Sequence, residues 1–430
     1  MPDLHVTRVG YVVSRFPLTT ETFILREFDR VSAVDRIDVS LFSLFASQDR
    51  VVHEEASRWV EQCHSGRALR GVVALTTWLA EAPGTTIRIL VRIVLDYAPQ
   101  PRNLARAMAT ACLAFDHART MRALEVDHVH AHFATYPALT AWVIHRLTGI
   151  PYSVTPHAHD IYVTQSGLRT RLRAAMAVIA VSDYNWMFLQ HFGAVPARLH
   201  RLSYGLDLRR YAFRGRTVPA DGPVDVLCIS SFKEYKGQEV LLRALVEGGA
   251  ALQRLRVEFI GTGPLFERCK RLATEIGVAD RCVFSGSRDQ AYIRVRLDEA
   301  HGLIQPSLVQ RNGDTEGLPN TLIEAAARGA TLVGTRVTGV PELVRDGVTG
   351  YLAEPASPES LAEALGRLLA PGADVVALQK SARRAVEDRH DLDRLATGLG
   401  EVFTRAARRP YHLSDSSSAS AGAVAPNEKH

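Results

Sequence analysis

The chain has 430 residues, 47% of them hydrophobic and 23% charged, the profile of an ordinary globular protein with two or three domains. A formal net charge of +5 favours anionic ligands or a membrane surface and is too small to argue for nucleic acid as a partner. Cys63, Cys112, Cys228, Cys269 and Cys282 are odd in number and show no metal spacing, so they read as reduced thiols in a cytoplasmic protein.

The N-terminus lacks a basic-then-apolar signal, and no run reaches membrane-spanning length. Residues 6–14 alternate and are β-branched, which predicts a first strand. A polar loop and a helix from about Ile24 follow. Such a strand–loop–helix unit can form a phosphate or sugar cradle, or be a plain connection. Thr20, Glu21 and Thr22 stand at its loop–helix junction.

Residues 36–45 predict a second strand, and 66–122 several helices. Within these, 85–97 is apolar apart from Arg88, Arg92 and Asp96, and the two arginines share a helix face. That face could rest on anionic lipid; the plainer reading is a helix packed on its own domain.

His128, His130 and His132 alternate along a short strand. Neutral imidazole is the commonest metal ligand, but no acidic or cysteine partner stands near at a known spacing, so no metal is expected. A strand over 151–155 leads into His157-Ala-His-Asp160, placing His157 where α/β sheets bind ligands. A buried structural histidine is the alternative. Residues 178–182 give another strand.

Residues 214–223, with Gly, Pro and polar side chains, read as a linker. Strands are then predicted at 224–230, 255–260, 281–287 and 302–307. Two of the five lysines, Lys233 and Lys236, fall in the loop after the first of these, where a lysine can neutralise phosphate charge. Gly261-Thr-Gly263 is half a dinucleotide fingerprint and weak on its own.

Residues 316–329 read Glu-Gly-Leu-Pro-Asn-Thr-Leu-Ile-Glu-Ala-Ala-Ala-Arg-Gly. The composition predicts a helix over 321–328, capped by Asn320 and ended by Gly329. Its start offers free N–H groups to an anion, with Glu316 and Glu324 on either side. A carboxylate accepts from paired hydroxyls, so diphosphate between two diols describes a nucleotide sugar. The alternative is two ordinary surface charges.

This stretch, with Gly339-Val-Pro-Glu342, resembles the Glu-x7-Glu signature of retaining GT-B glycosyltransferases of family four. Ser14-Arg-Phe-Pro17, Glu21-Thr-Phe-Ile24 and the three-histidine segment resemble transferases that build colanic-acid-like exopolysaccharides. The resemblance covers nearly everything before the tail. It implies two Rossmann-like domains facing across a cleft, and transfer of a sugar from a nucleoside diphosphate sugar with retention by a front-face route. Glu316 would contact the donor sugar and Glu324 the ribose. Gly317, Leu318, Pro319 and Asn320 would line the donor site, and Lys236-Gly237 would hold phosphate. His157 would touch a sugar, with Asp160 second, His132 in the acceptor-side floor, and Thr20, Glu21 and Thr22 also on the acceptor side.

Three departures stand out. Ser231 occupies the usual place of an arginine five residues before Lys236, which leaves Lys233 as a candidate for the missing charge. Thr338 stands where the family has Gly, and Ala330-Thr331 where it has Pro. The implied division is an acceptor-side domain over 1–213, the linker over 214–223, a nucleotide-sugar domain over 224–388, a helix crossing back over 389–412, and a disordered tail over 413–430. The expected partners are a nucleotide sugar and a small-molecule or lipid-linked acceptor, with no cofactor besides the donor and no metal. The expected place is cytoplasmic, with weak peripheral contact at the inner face of the membrane. A binding protein that kept the fold without turnover is the rival, and Ser231 is its best support.

Overall fold

The computed structural model describes residues 5–18, 21–47 and 56–408; Thr20 and the 413–430 tail lie outside them. Two parallel sheets carry the chain. The first has seven strands: β1 (Thr7–Phe16), β2 (Ile37–Ala46), β3 (His64–Ser65), β4 (His128–His132), β5 (Tyr152–Thr155), β6 (Ala177–Ala180) and β7 (Leu199–Arg201). Their order is β3-β2-β1-β4-β5-β6-β7. The second has β8 (Val224–Ile229), β9 (Leu255–Ile260), β10 (Cys282–Gly286), β11 (Gly302–Gln305), β12 (Thr331–Thr335) and β13 (Gly350–Ala353), in the order β10-β9-β8-β11-β12-β13.

Strands covered by helices on both faces carry continuous apolar or buried runs. Every residue of β4, β5, β6, β12 and β13 is buried. In each sheet the strand order reverses once, at β1/β4 and at β8/β11, and ligands bind in the crevice beyond the strand ends at such points. The loops after β1, β4 and β5 therefore face those after β8 and β11.

The last helix, Leu392–Ala407, is capped by Asp391, whose side chain accepts from the Arg394 N–H. Its apolar stripe, Leu395, Leu399 and Phe403 among others, packs with Val9, Tyr11, Phe28 and Ile179 of the first domain. The chain thus crosses back from the second domain to complete a core of the first, as GT-B architecture implies.

The helix Pro83–Tyr97 is apolar on two faces. Ile89, Ile93 and Tyr97 are buried in the first domain's core. On the other side Ile87, Val91, Val94 and Leu95 are exposed.

Candidate active site

A cleft of about 400 Å³ opens between the two sheets. Its second-domain wall is Tyr235, Lys236 and the run from Asp314 to Thr321. Its first-domain wall includes Glu21, Phe23, Phe133, His157, His159 and Tyr204.

Lys236 ends a short turn after β8. Gly237 follows at φ 72°, where an added Cβ would meet the Pro306 carbonyl oxygen at 1.8 Å. Glycine lets this turn press against the loop after β11. The contact carries the Lys236 ammonium to the Glu316 carboxylate, and the two form an ion pair. Burial, then the charge of Lys233, lower Lys236 to about 8. The Glu316 carboxylate in contact with it favours the charged form.

The helix over Asn320–Arg328 starts one residue earlier than its composition predicts. Pro319, at φ −64° and ψ 127°, takes the cap position, and Asn320 is the first helical residue instead of the cap. Proline is extended there and has no N–H to lose. Gly329 ends the helix at φ 84°, as expected. The Leu322 N–H donates to the Pro319 carbonyl at 3.1 Å, whereas the N–H groups of Asn320 and Thr321 have no preceding turn to bond, and both residues lie on the cleft wall.

Thr338 adopts φ 43°, a left-handed conformation that glycine enters most freely. Its hydroxyl donates to the carbonyls of Glu316 (2.5 Å) and Gly317 (2.9 Å) and so ties down the loop that carries Glu316.

Glu324 lies behind the wall and is 6% exposed. Its carboxylate accepts from Arg26 of the first domain at 3.1 Å and from the Tyr211 hydroxyl at 3.2 Å. Two further contacts bridge the domains. His159 Nδ1 is 3.3 Å from Asp314. Glu342 accepts from Arg201 (2.8 Å) and from the N–H groups of Asp183 and Tyr184 at the start of the helix Asp183–His191.

The cleft gathers Lys236, Glu316, Gly317, Leu318, Pro319, Asn320, Glu21 and His157. It does not gather all the candidates. Ser231 and Lys233 lie off the wall; Lys233 is exposed, its Nζ 6.0 Å from the Tyr235 ring centroid. Thr22 opens the first helix, Thr22–Val31, beside the wall.

Asp160 is buried and accepts from the N–H groups of Ala134 and His157. Burial raises its carboxyl to about 6 against these hydrogen bonds. It braces His157.

His132 sits behind His157. The absence of an acidic partner for the three histidines, read from sequence spacing, is corrected by the fold. The first helix brings Glu27 to 2.9 Å from His132 Nε2 and 3.8 Å from His130 Nε2. The other ring contacts are hydrogen bonds: His130 to the Ser153 (2.7 Å) and Thr155 (3.1 Å) hydroxyls, and His128 to Ser153 (2.7 Å).

Sequence reasoning missed Tyr204, Glu27 and Arg26 as site residues. Glu27 had a usable signal: it stands three residues after Ile24, on the helix face that also carries Leu25, Phe28 and Val31.

Two Rossmann-like domains facing each other across a cleft are the GT-B architecture. Two family models match: Glycosyltransferase Family 4 over residues 49–210 and Glycosyl transferases group 1 over 223–371. The chain belongs to the glycosyltransferases that these models describe. It is 25% identical over 418 residues to WcaL of Escherichia coli (strain K12), named as a colanic acid biosynthesis glycosyltransferase, covering 90% of this chain and 96% of WcaL. It is 32% identical over 229 residues to the GDP-mannose-dependent alpha-(1-6)-phosphatidylinositol monomannoside mannosyltransferase of Mycolicibacterium smegmatis, covering 50% of this chain and 59% of that protein. Among solved structures, Anabaena HepE in complex with UDP and glucose superposes with a TM-score of 0.66 at 16% identity, over 93% of this chain and all of HepE. Sucrose-phosphate synthase of Thermosynechococcus elongatus gives 0.69 at 18% identity, over 93% and 98%. These two likenesses are of fold.

Proposed function

We propose that the protein transfers a hexosyl or similar residue from a nucleoside diphosphate sugar to a hydroxyl of an exopolysaccharide intermediate, with retention. The Lys236–Glu316 pair at the helix start carries this reading. An incoming diphosphate takes Lys236 and the first-turn N–H groups, which frees Glu316 to accept from the donor sugar's hydroxyls. As the glycosidic bond to phosphate breaks, Lys236 meets the charge that develops on the leaving oxygen. The leaving phosphate takes the acceptor's proton on the same face of the sugar. The test is a panel of nucleotide sugars, with the product's anomeric configuration read by NMR. Inverted product overturns retention, and no transfer from any donor overturns the activity.

Glu324 is proposed to take the ribose, which requires it to leave Arg26. Glu324→Gln should raise the Kd for nucleoside diphosphate roughly tenfold or more, the scale of a lost charged hydrogen bond. Arg26→Met should leave that Kd unchanged or lower it, because the carboxylate is then free. Glu316→Gln should instead reduce turnover and keep nucleotide affinity. Calorimetric titration separates the three, and equal affinities for wild type and Glu324→Gln would remove the ribose role.

The proposed acceptor is held at an anionic lipid surface. No helix of the described residues is long and apolar enough to cross a membrane. The helices Ala68–Glu81 and Pro83–Tyr97 do expose Leu69, Val72, Val73, Ile87, Val91 and Leu95. Arg67, Arg70, Arg88 and Arg92 stand among them against two acids, Glu81 and Asp96, of which Asp96 pairs with Arg92 at 2.6 Å. Apolar side chains ringed by arginine suit the boundary between acidic headgroups and acyl chains. The protein should sediment with phosphatidylglycerol-containing vesicles and less with pure phosphatidylcholine. Val91→Glu with Leu95→Glu should abolish the difference without changing donor affinity. Equal sedimentation of wild type with both vesicle types would exclude the surface.

A further inference from the structure

Behind the first-domain wall, four side chains form one continuous line. Tyr204 Oη is 2.9 Å from His157 Nδ1, His157 Nε2 is 3.3 Å from His132 Nδ1, and His132 Nε2 is 2.9 Å from Glu27 Oε1. The line starts at the cleft, where Tyr204 forms part of the wall, and ends in the core, where Glu27 is 5% exposed. The rings are also stacked: His132 and His157 at 5.6 Å and 14°, His157 and Tyr204 at 5.8 Å and 5°. Asp160 holds the His157 backbone and Phe23 packs edge-on against both His157 and Tyr204.

With one proton on each imidazole, such a line has a direction. An ionised carboxylate only accepts, so His132 must present its Nε2 proton to Glu27. Its Nδ1 is then a bare acceptor and takes the Nε2 proton of His157. Burial, the largest cause, holds His157 well below its ordinary value, so it has one proton and its Nδ1 is an acceptor in turn. That nitrogen takes the hydroxyl proton of Tyr204. Both ring nitrogens of His157 are thereby committed inside the protein. The polar atom left for the cleft is the Tyr204 oxygen, with its proton turned away and its lone pairs outward.

We propose that Glu27 and His132, acting through His157, fix Tyr204 as a pure hydrogen-bond acceptor that binds a hydroxyl of the sugar in the cleft. Tyr204 is the specificity-determining residue; Glu27, His132 and His157 are positioning residues. The site then favours a ligand that donates a hydrogen bond there and disfavours a deoxy or O-methylated sugar at that hydroxyl. The proposal rests on the transferase reading for the identity of the ligand and is independent of it for the direction of the line.

Two measurements on the full chain test it. The first is two-bond proton–nitrogen NMR of histidine-labelled protein, with His132→Gln and His157→Gln used to assign the signals. His132 and His157 should each appear as the neutral Nε2–H tautomer between about pH 6 and 8. Glu27→Gln, whose carboxamide offers His132 either an oxygen or an NH2, should give mixed tautomers for His157. A purely structural role would not move that signal. An Nδ1–H tautomer or an imidazolium at either His132 or His157 in the wild type overturns the proposal. The second uses the nucleotide sugar that the donor panel turns over. Tyr204→Phe should lower kcat/KM about tenfold, the scale of one hydrogen bond, while nucleoside diphosphate affinity stays as in wild type. Unchanged kcat/KM overturns the role of Tyr204. Absence of any turnover in wild type, with the Nε2–H pattern intact, strikes the transferase reading and leaves the directed line standing.

Discussion

Lys236→Ala should lower kcat/KM by roughly 10²–10³, the usual cost of removing a donor that meets charge developing in the transition state. The substitution removes the cleft-wall cation paired with Glu316 and leaves the Gly237 turn in place. It also leaves the Glu316 carboxylate without its partner, next to an arriving diphosphate, so the loss should appear in both donor binding and turnover. The same side chain sets a pH limit. Its ammonium is lowered from 10.5 to about 8, so it is cationic below that value and neutral above. If the cation is the active form, kcat/KM falls as pH rises through about 8. Lys236→Arg, which stays charged at any working pH, should remove that alkaline limb even if its activity is lower. A flat profile above pH 8 in wild type, or a folded Lys236→Ala with normal turnover, would refute the assignment.

Arg171→Ala should be the most damaging change to stability, by about 3–5 kcal/mol, since each buried acceptor left without its donor costs roughly 1–3 kcal/mol. Arg171 is 1% exposed. Its guanidinium donates to the carbonyls of Ala134 (2.7 Å) and Ser166 (2.5 Å) and to the Tyr97 hydroxyl (3.0 Å). Alanine leaves those three acceptors facing a dry cavity. At about 2–4 °C per kcal/mol for a domain of some 200 residues, the first domain's Tm should fall by roughly 6–20 °C. Arg171→Met, which keeps the stem's packing, should fall less. Because the Ala134 N–H bonds to Asp160 and Asp160 holds the His157 backbone, the loss reaches the cleft wall as well. Calorimetry of the three proteins decides it: a shift under about 2 °C for Arg171→Ala would mean that water or relaxation satisfies those groups.

Much of the donor side was legible because its parts are close in sequence. Turn, helix start and flanking carboxylates lie within residues 316–329, and composition alone places them to within one residue. That one-residue miss came from weighing Asn320 as a cap against a proline whose fixed φ already serves the position. The sequence marked Thr338 only as a departure, and the fold shows what the side chain contributes: a hydroxyl that pins the Glu316 loop. The acceptor side was less legible because its contacts are long-range. His132 and Glu27 are 105 residues apart, and no local spacing announces such a pair. The same holds for Arg26 and Glu324, 298 residues apart: Glu324 stood out in its own segment, Arg26 did not, and no local spacing joined them. The apolar stretch at 85–97 read as either core or lipid-facing, and it has an apolar face turned each way.

The returning last helix has a consequence for how the protein is made. Domains commonly fold in order as the chain leaves the ribosome. Here one half of the first domain's core, around Val9, Tyr11 and Phe28, waits for Leu395, Leu399 and Phe403, which are translated after the whole second domain. His128 and His130 wait for the same Phe403 ring, at 5.1 and 4.9 Å. The nascent first domain therefore presents an unfinished apolar face throughout synthesis of the second. A stop codon anywhere before about residue 392 removes the cover from that face altogether. Nonsense and frameshift products late in the coding sequence would then be chaperone clients and aggregation-prone species, although every cleft-wall residue is already present in them.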